Sequence, residues 1–315
     1  MKEHSQNSIE VWRRLAALLI FISLILSIIL SYILDVSWDR DDCVSIIVIV
    51  GPPLALGSVL IRFNKVPAFA DFLTLSSLIL AFSMIAVALA LLGTRSPAPI
   101  ADPWLTAADE ILPFSAIDVV VSTKYLPEWA IWMLRKSYVQ TGIYLYLSLN
   151  ALLLTGREAS AWRMFLVWGW IFLAISLMAF ASPALGVFSQ LTVEQVEHLP
   201  KGAGRYAMRS FHDFRNATEP VLALGHASGV ITFPSFHVAC ALVLAQAWHG
   251  FRIIGLLSKL LAGIIILSCV PIGGHYLVDL AAGAAVWWWV TLAVDQIGRM
   301  KIANSAESAI AMSPA

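Results

Sequence analysis

Of 315 residues, 59% are hydrophobic and only 13% are charged, against about 25% charged in an average soluble domain, which excludes a water-soluble globular chain. The 20 basic and 20 acidic residues cancel, so no net field favours a nucleic-acid partner. Cys43, Cys240 and Cys269 lie far apart without a CxxC pair, so there is no disulfide framework to read.

A membrane-spanning helix needs about 20 mostly apolar residues. Such runs fall at 15–34, 44–61, 72–92, 138–155, 162–182, 234–249, 253–271 and 276–297. They predict an all-α, polytopic membrane helix bundle of about eight transmembrane helices. The first run is too long for a signal-peptide core, and "SYILDVSWD" offers no small-x-small cleavage site, so it is expected to stay as an anchor. With the N-terminus inside, the inner segments collect Lys2, Arg13 and Arg14, then Arg62 and Lys65, then Arg157 and Arg163. Arg252 and Lys259, then Arg299 and Lys301, follow on the same side, and both termini are cytoplasmic. This orientation starts the sixth and eighth helices, and the long segment 183–233, at the outer face.

Residues 97–136 are neither apolar enough to span nor polar enough to be disordered. "DPWLTAADEILPFSAIDVVV" mixes acids with a helical apolar stripe and reads as helices in the outer interface. Asp102, Asp109, Glu110 and Asp118 are expected on solvated faces, with contact to a substrate headgroup as the alternative. "KYLPEWAIWMLRKS" reads as an aromatic and basic anchor into the fourth span. The triple Trp287–Trp289 reads as a packing or belt feature. In the outer segment, "KGAGRYAMRSFHDFR", with His198, His212 and His226 nearby, is basic enough to attract a phosphate-bearing headgroup, and Arg209 and Arg215 are the candidate phosphate contacts. Asn216-Ala217-Thr218 is a glycosylation sequon.

Two stretches carry the chemistry: "TFPSFHVACALV", with Ser235 and His237, and "IGGHYLVDLAAG", with His275 and Asp279. Titratable side chains at membrane depth are costly and mark function by default. His275 and Asp279 are spaced i, i+4 and share a helix face, so the carboxylate can fix the tautomer of the imidazole and raise its basicity. Gly273 and Gly274 permit close backbone approach. The first N–H groups of the two helices are expected to be free, an anion cradle for phosphate oxygens, and Ser235 is placed to cap or donate.

Three other readings use the same residues. His226, His237 and His275 could hold zinc by residue type, but Asp279 already has an imidazole to serve. Ser235, His275 and Asp279 could form a serine hydrolase, but Ser235 lacks a Gly-flanked turn. A transporter with a histidine proton relay should carry polar residues through mid-membrane, and these spans are nearly devoid of them.

"FPSFH" followed by "GGHYLVDLAAG" resembles the second and third motifs of the type 2 phosphatidic acid phosphatase (PAP2) superfamily, best over 183–297. It is most similar to the branch of inositol phosphorylceramide synthases and their bacterial relatives, whose upstream segment "DPWLTAADEILPF" also resembles. The resemblance implies a nucleophile at His275, an orienting carboxylate at Asp279, an acid at His237 that protonates the leaving oxygen, and a phosphate contact from Ser235; the close backbone approach at Gly274 makes it a further substrate-binding candidate. Departures are Phe236 where the widespread motif has glycine, Ser268-Cys269 where it has Ser-Arg, and a first motif that fails, since Lys201 is followed seven residues later by Met208. Arg209 comes one position late and precedes serine. These losses favour the synthase-like branch.

The expectation is a lipid-phosphate phosphatase acting through a phosphohistidine, without metal or cofactor, with a lipid phosphate as substrate. The alternative is a phosphotransferase moving a phosphorylated headgroup between lipids. The expected organisation is 1–96 as N-terminal transmembrane helices, 97–136 as interfacial helices, 137–300 as the PAP2-like catalytic domain and 301–315 as a disordered cytoplasmic tail. The expected membrane is a bacterial inner membrane with the site on the periplasmic side, or a Golgi-type membrane with a lumenal site.

Overall fold

The computed structural model describes residues 2–63, 65–200, 203–223 and 230–311. Helix α1 (Lys2–Ile33) is followed by α2 (Arg40–Arg62), whose first turn Asp39 caps by accepting from Asp42 N–H at 2.9 Å. Pro52 and Pro53 sit inside α2, tolerated because neighbouring groups in a membrane bundle re-satisfy freed carbonyls. Helix α3 (Pro67–Thr94) starts on the proline that its first turn accommodates. The interfacial stretch forms α4 (Asp102–Asp109), α5 (Ala116–Ser122) and α6 (Glu128–Val139). Then come α7 (Thr141–Leu154) and α8 (Glu158–Ala181), followed in the long segment by α9 (Val193–Val196) and α10 (Arg205–Asn216). The chain ends with α11 (Phe236–Ala247), α12 (Arg252–Cys269) and α13 (Leu277–Ala311).

Helices α1, α2, α3, α8, α12 and α13 are long and apolar enough to cross a membrane, and α7 and α11 are shorter apolar helices. All eight expected spans are therefore present as helices, in an all-α membrane bundle. Only Gln140 separates α6 from α7, and Gln140 N–H still reaches Lys136 O while Tyr144 N–H reaches Gln140 O. The fourth span is thus longer than its apolar run. The 12 residues of α11 rise about 18 Å, short of a hydrocarbon core about 30 Å thick. The irregular stretch before it, with Thr232, Pro234 and Ser235 buried, sits in protein, where non-helical backbone at depth is tolerated. Helix α13 runs on to Ala311, through most of the stretch read as a tail; residues 312–315 lie outside the described residues.

Helix α8 is the hub and packs on α1, α3, α7, α11 and α13. Phe82 of α3 meets Phe165, Trp168 and Phe172 of α8 edge to face, at centroid distances of 6.1, 5.3 and 6.2 Å. In lipid the tails are as apolar as the side chains, so such contacts act through dispersion and fit rather than water release. Helix α2 leaves Ile47, Val48, Ile49 and Leu56 exposed, a lipid-facing surface. At one end, Arg13 donates to the buried Asp71 from Nε (3.1 Å) and Nη2 (2.5 Å), and Trp162 Nε1 donates to the same oxygen. Arg163 grips Asp295 through two bonds of 2.6 and 2.8 Å.

At the opposite end the long segment closes over the bundle. Two short strands, β1 (Ser37–Trp38) and β2 (Val221–Leu222), pair in parallel, so the α1–α2 loop and the 183–233 segment share that end. Arg95, just past α3, donates to Phe214 O and Ala217 O at 2.8 and 3.0 Å, while Arg215 donates back to Thr94 O at 2.6 Å. Each arginine thereby satisfies the orphan carbonyls at the end of the other's helix.

Candidate active site

The two histidine stretches meet because their backbones bond directly. Ser235 N–H donates to Asp279 O at 3.0 Å, and a Cβ at Gly283 would clash with Ser235 O, so α11 can start against α13 only with glycine there. The loop before α13 folds back on α12: His275 N–H bonds to Cys269 O at 3.2 Å, and Gly274 turns the chain at φ +77°. Gly274 O accepts from Val187 N–H at 2.8 Å, which ties this turn to the long segment.

This turn places His275 just ahead of α13, two residues before its start, and not on the helix as the i, i+4 spacing predicts. The contact with Asp279 survives, because Asp279 lies in the first turn and points back. Its Oδ2 takes Tyr276 N–H at 2.9 Å and lies 3.3 Å from His275 Nδ1. On the other side of the ring, Ser235 Oγ stands 3.3 Å from His275 Nε2. Ser235, His275 and Asp279 are all essentially buried, at 0%, 1% and 0% exposure. His237, in the first turn of α11, is half-buried, with its ring 6.3 Å from that of His275. With Nδ1–H directed at Asp279, the lone pair of a neutral imidazole lies on Nε2.

A residue outside both motifs completes the cluster. Tyr138 of α6 stacks on His237 at 3.7 Å between centroids and 18° between planes, and its hydroxyl is 3.5 Å from His275 Nε2. Its only sequence signal is position, directly after the aromatic and basic anchor and at the first residue of the expected fourth span.

The acids of 97–136 depart from expectation. Asp109 is 4% exposed and accepts from Leu277 N–H (3.0 Å) and Val278 N–H (2.9 Å). It therefore occupies the N–H groups of α13 that the sequence leaves free for phosphate oxygens, and on α11 Val238 N–H turns to Ser235 Oγ. The expected anion cradle of two open helix ends is corrected accordingly. Asp102 is also buried, accepting from Leu185 N–H, Gly186 N–H (both 2.8 Å) and the Tyr276 hydroxyl (3.0 Å). Solvated faces hold only for Glu110 and Asp118, the latter in a capping box with Ser115.

Neither Arg209 nor Arg215 is hydrogen-bonded to His237 or His275. Arg215 is engaged with the backbone beyond α3, and Arg209 is exposed on α10. Lys201 and His226 lie outside the described residues, as does the side chain of Arg205. Among the described residues, no three His, Cys, Asp or Glu side chains converge as a metal site. Cys269, where the resemblance leads one to expect arginine, is buried with Sγ 3.8 Å from Ser235 Oγ.

A family model described as the PAP2 superfamily matches residues 103–293, more than half of the chain. The chain belongs to the PAP2 superfamily. Its members are phosphatases or phosphotransferases, so a phosphatase-type function and an integral membrane setting follow for this PAP2 protein. The match runs from the second residue of α4 to about the middle of α13, and thus takes in Ser235, His237, His275, Asp279 and Tyr138. No curated protein and no solved structure matches this PAP2 chain.

Proposed function

We propose that this PAP2 protein is a lipid-phosphate phosphatase working through a phosphohistidine at His275, on the outer face of its membrane. The observation that carries the reading is the line Ser235–His275–Asp279, with His237 beside it. The Nε2 lone pair of His275 attacks phosphorus as the ester P–O bond breaks, and its electron pair leaves on the lipid oxygen. Protonated His237 gives that oxygen its proton. Water then attacks the phosphoryl group, His237 takes the water's proton, the N–P bond breaks, and its electrons return to Nε2. Asp279 stabilises the imidazole through Nδ1–H during both halves. Residues 137–300 are the catalytic part, with 97–136 bracing it through Asp102 and Asp109.

A transferase reading, in the manner of the synthase-like branch, is favoured by two positions. Phe236 packs edge to face on Phe172 at 4.8 Å, and Cys269 is apolar where a phosphatase motif has arginine. The first half of the mechanism is shared, and the readings part only in the second, where water or an alcohol attacks the phosphoryl group. Purified protein given labelled lipid phosphate and excess candidate alcohol should yield mainly free phosphate. Label passing to the alcohol with ping-pong kinetics and little free phosphate replaces the phosphatase with the transferase. An acid-labile labelled protein that His275→Ala abolishes is expected in either case, and its presence in His275→Ala overturns the mechanism.

A further inference from the structure

We propose that Tyr138 is a catalytic residue, whose phenol donates a hydrogen bond to a phosphoryl oxygen once phosphorus is bonded to His275. The inference rests on the phosphohistidine reading above. Two hydroxyls converge on one nitrogen: Ser235 Oγ at 3.3 Å and Tyr138 Oη at 3.5 Å from His275 Nε2. That nitrogen has one lone pair and accepts one of them at a time. Ser235 Oγ has a second acceptor in Cys269 Sγ at 3.8 Å, whereas Tyr138 Oη is aimed at Nε2. When the lone pair becomes an N–P bond, Tyr138 loses that acceptor and the phosphoryl oxygens lie beside both hydroxyls. Donors already aimed at the place where charge develops cost no reorganisation at the moment of reaction.

The surroundings of Tyr138 are shaped for this. A Cβ at position 273 would lie 2.5 Å from its hydroxyl and 2.6 Å from its ring, so Gly273 leaves the room the phenol occupies. Stacking on His237 fixes the plane of the ring while leaving the edge of that imidazole free to move a proton. Position 269 carries a buried thiol. Among the described side chains, two neutral hydroxyls, one from α6 and one from the start of α11, stand beside Nε2 as donors to phosphate.

The test compares wild type, Tyr138→Phe and Ser235→Ala in detergent, using phosphate release from a lipid phosphate and inhibition by orthovanadate, which mimics the five-coordinate phosphorus. Phenylalanine keeps the stacking on His237, so the melting temperature should stay within a few degrees. Loss of one such donor lowers kcat about 10²–10³-fold. The change should fall on kcat with KM held within a few-fold, and vanadate inhibition should weaken in proportion, as binding of a transition-state mimic must. Wild-type kcat in Tyr138→Phe overturns the proposal. So does a lowered kcat with unchanged vanadate inhibition, or one explained by a collapsed melting temperature, since either reduces Tyr138 to a structural support. Failure of the phosphohistidine reading shows differently, as full activity in His275→Ala or as wild type indifferent to vanadate.

Discussion

His275 has its two nitrogens committed to different partners, and that division makes its chemistry testable. Asp279 must accept from Nδ1–H for Nε2 to hold a lone pair. Asp279→Asn keeps the shape but turns an amide donor toward Nδ1, leaving the proton on Nε2. By analogy with the same change in a Ser-His-Asp triad, kcat should fall about 10⁴-fold, and a loss below tenfold in steady-state assays would remove Asp279 from the mechanism. His275→Ala and His237→Ala should each abolish most turnover. Because residues acting as one unit are strongly non-additive, the double variant should be little slower than the worse single one. Additive losses in that cycle would mean the two imidazoles act in separate steps.

At the scale of elements, α13 is held in place by a carboxylate from α4. Asp109 serves two backbone donors 168 and 169 residues away, at the first turn beyond His275. Asp109→Ala leaves both N–H groups without it in a buried setting and should cost about 1–3 kcal/mol. Activity should fall with it, and a melting temperature equal to wild type would show that α13 does not need the cap. The reciprocal bonds of Arg95 and Arg215 join α3 to α10 in a comparable way. Arg215→Ala should lower the melting temperature, since a cation at a helix C-terminus contributes about 0.3–1 kcal/mol. It should leave KM for lipid phosphate within a few-fold, and a large rise in KM would return Arg215 to the substrate contacts.

For the whole molecule, orientation sets which membrane face the site serves. The pairing of Ser37–Trp38 with Val221–Leu222 puts the α1–α2 loop at the end that carries the long segment. The Arg13–Asp71 and Arg163–Asp295 pairs close the other end. The proposed orientation puts that basic end in the cytoplasm. In a Cys43→Ala background, single cysteines at the exposed Thr218 and Glu219 should react with an impermeant thiol reagent on intact cells, and one at the exposed Arg252 should not. Labelling of 218 and 219 only after permeabilisation would reverse the bundle and move the chemistry to the cytoplasm.

Features with a local cause were legible in the sequence. Apolar runs predict the eight helices because transfer of each segment into lipid depends on that segment alone. Four-residue spacing, with glycines ahead of it, pairs His275 with Asp279 even though the histidine falls just outside the helix. Ser235 and His237 follow from the proline-serine entry to α11. Tertiary structure decided what depends on which helix lies beside which. Asp109 and Asp102 look like solvated acids until α4 packs against the loop before α13, where buried N–H groups require acceptors. Arg215 looks like a phosphate contact until the end of α3 meets it with unsatisfied carbonyls. Tyr138 looks like one more interfacial aromatic until α6 packs on α12 and stacks it on His237. Each of these pairings spans tens to more than a hundred residues, and no periodicity along the chain encodes them.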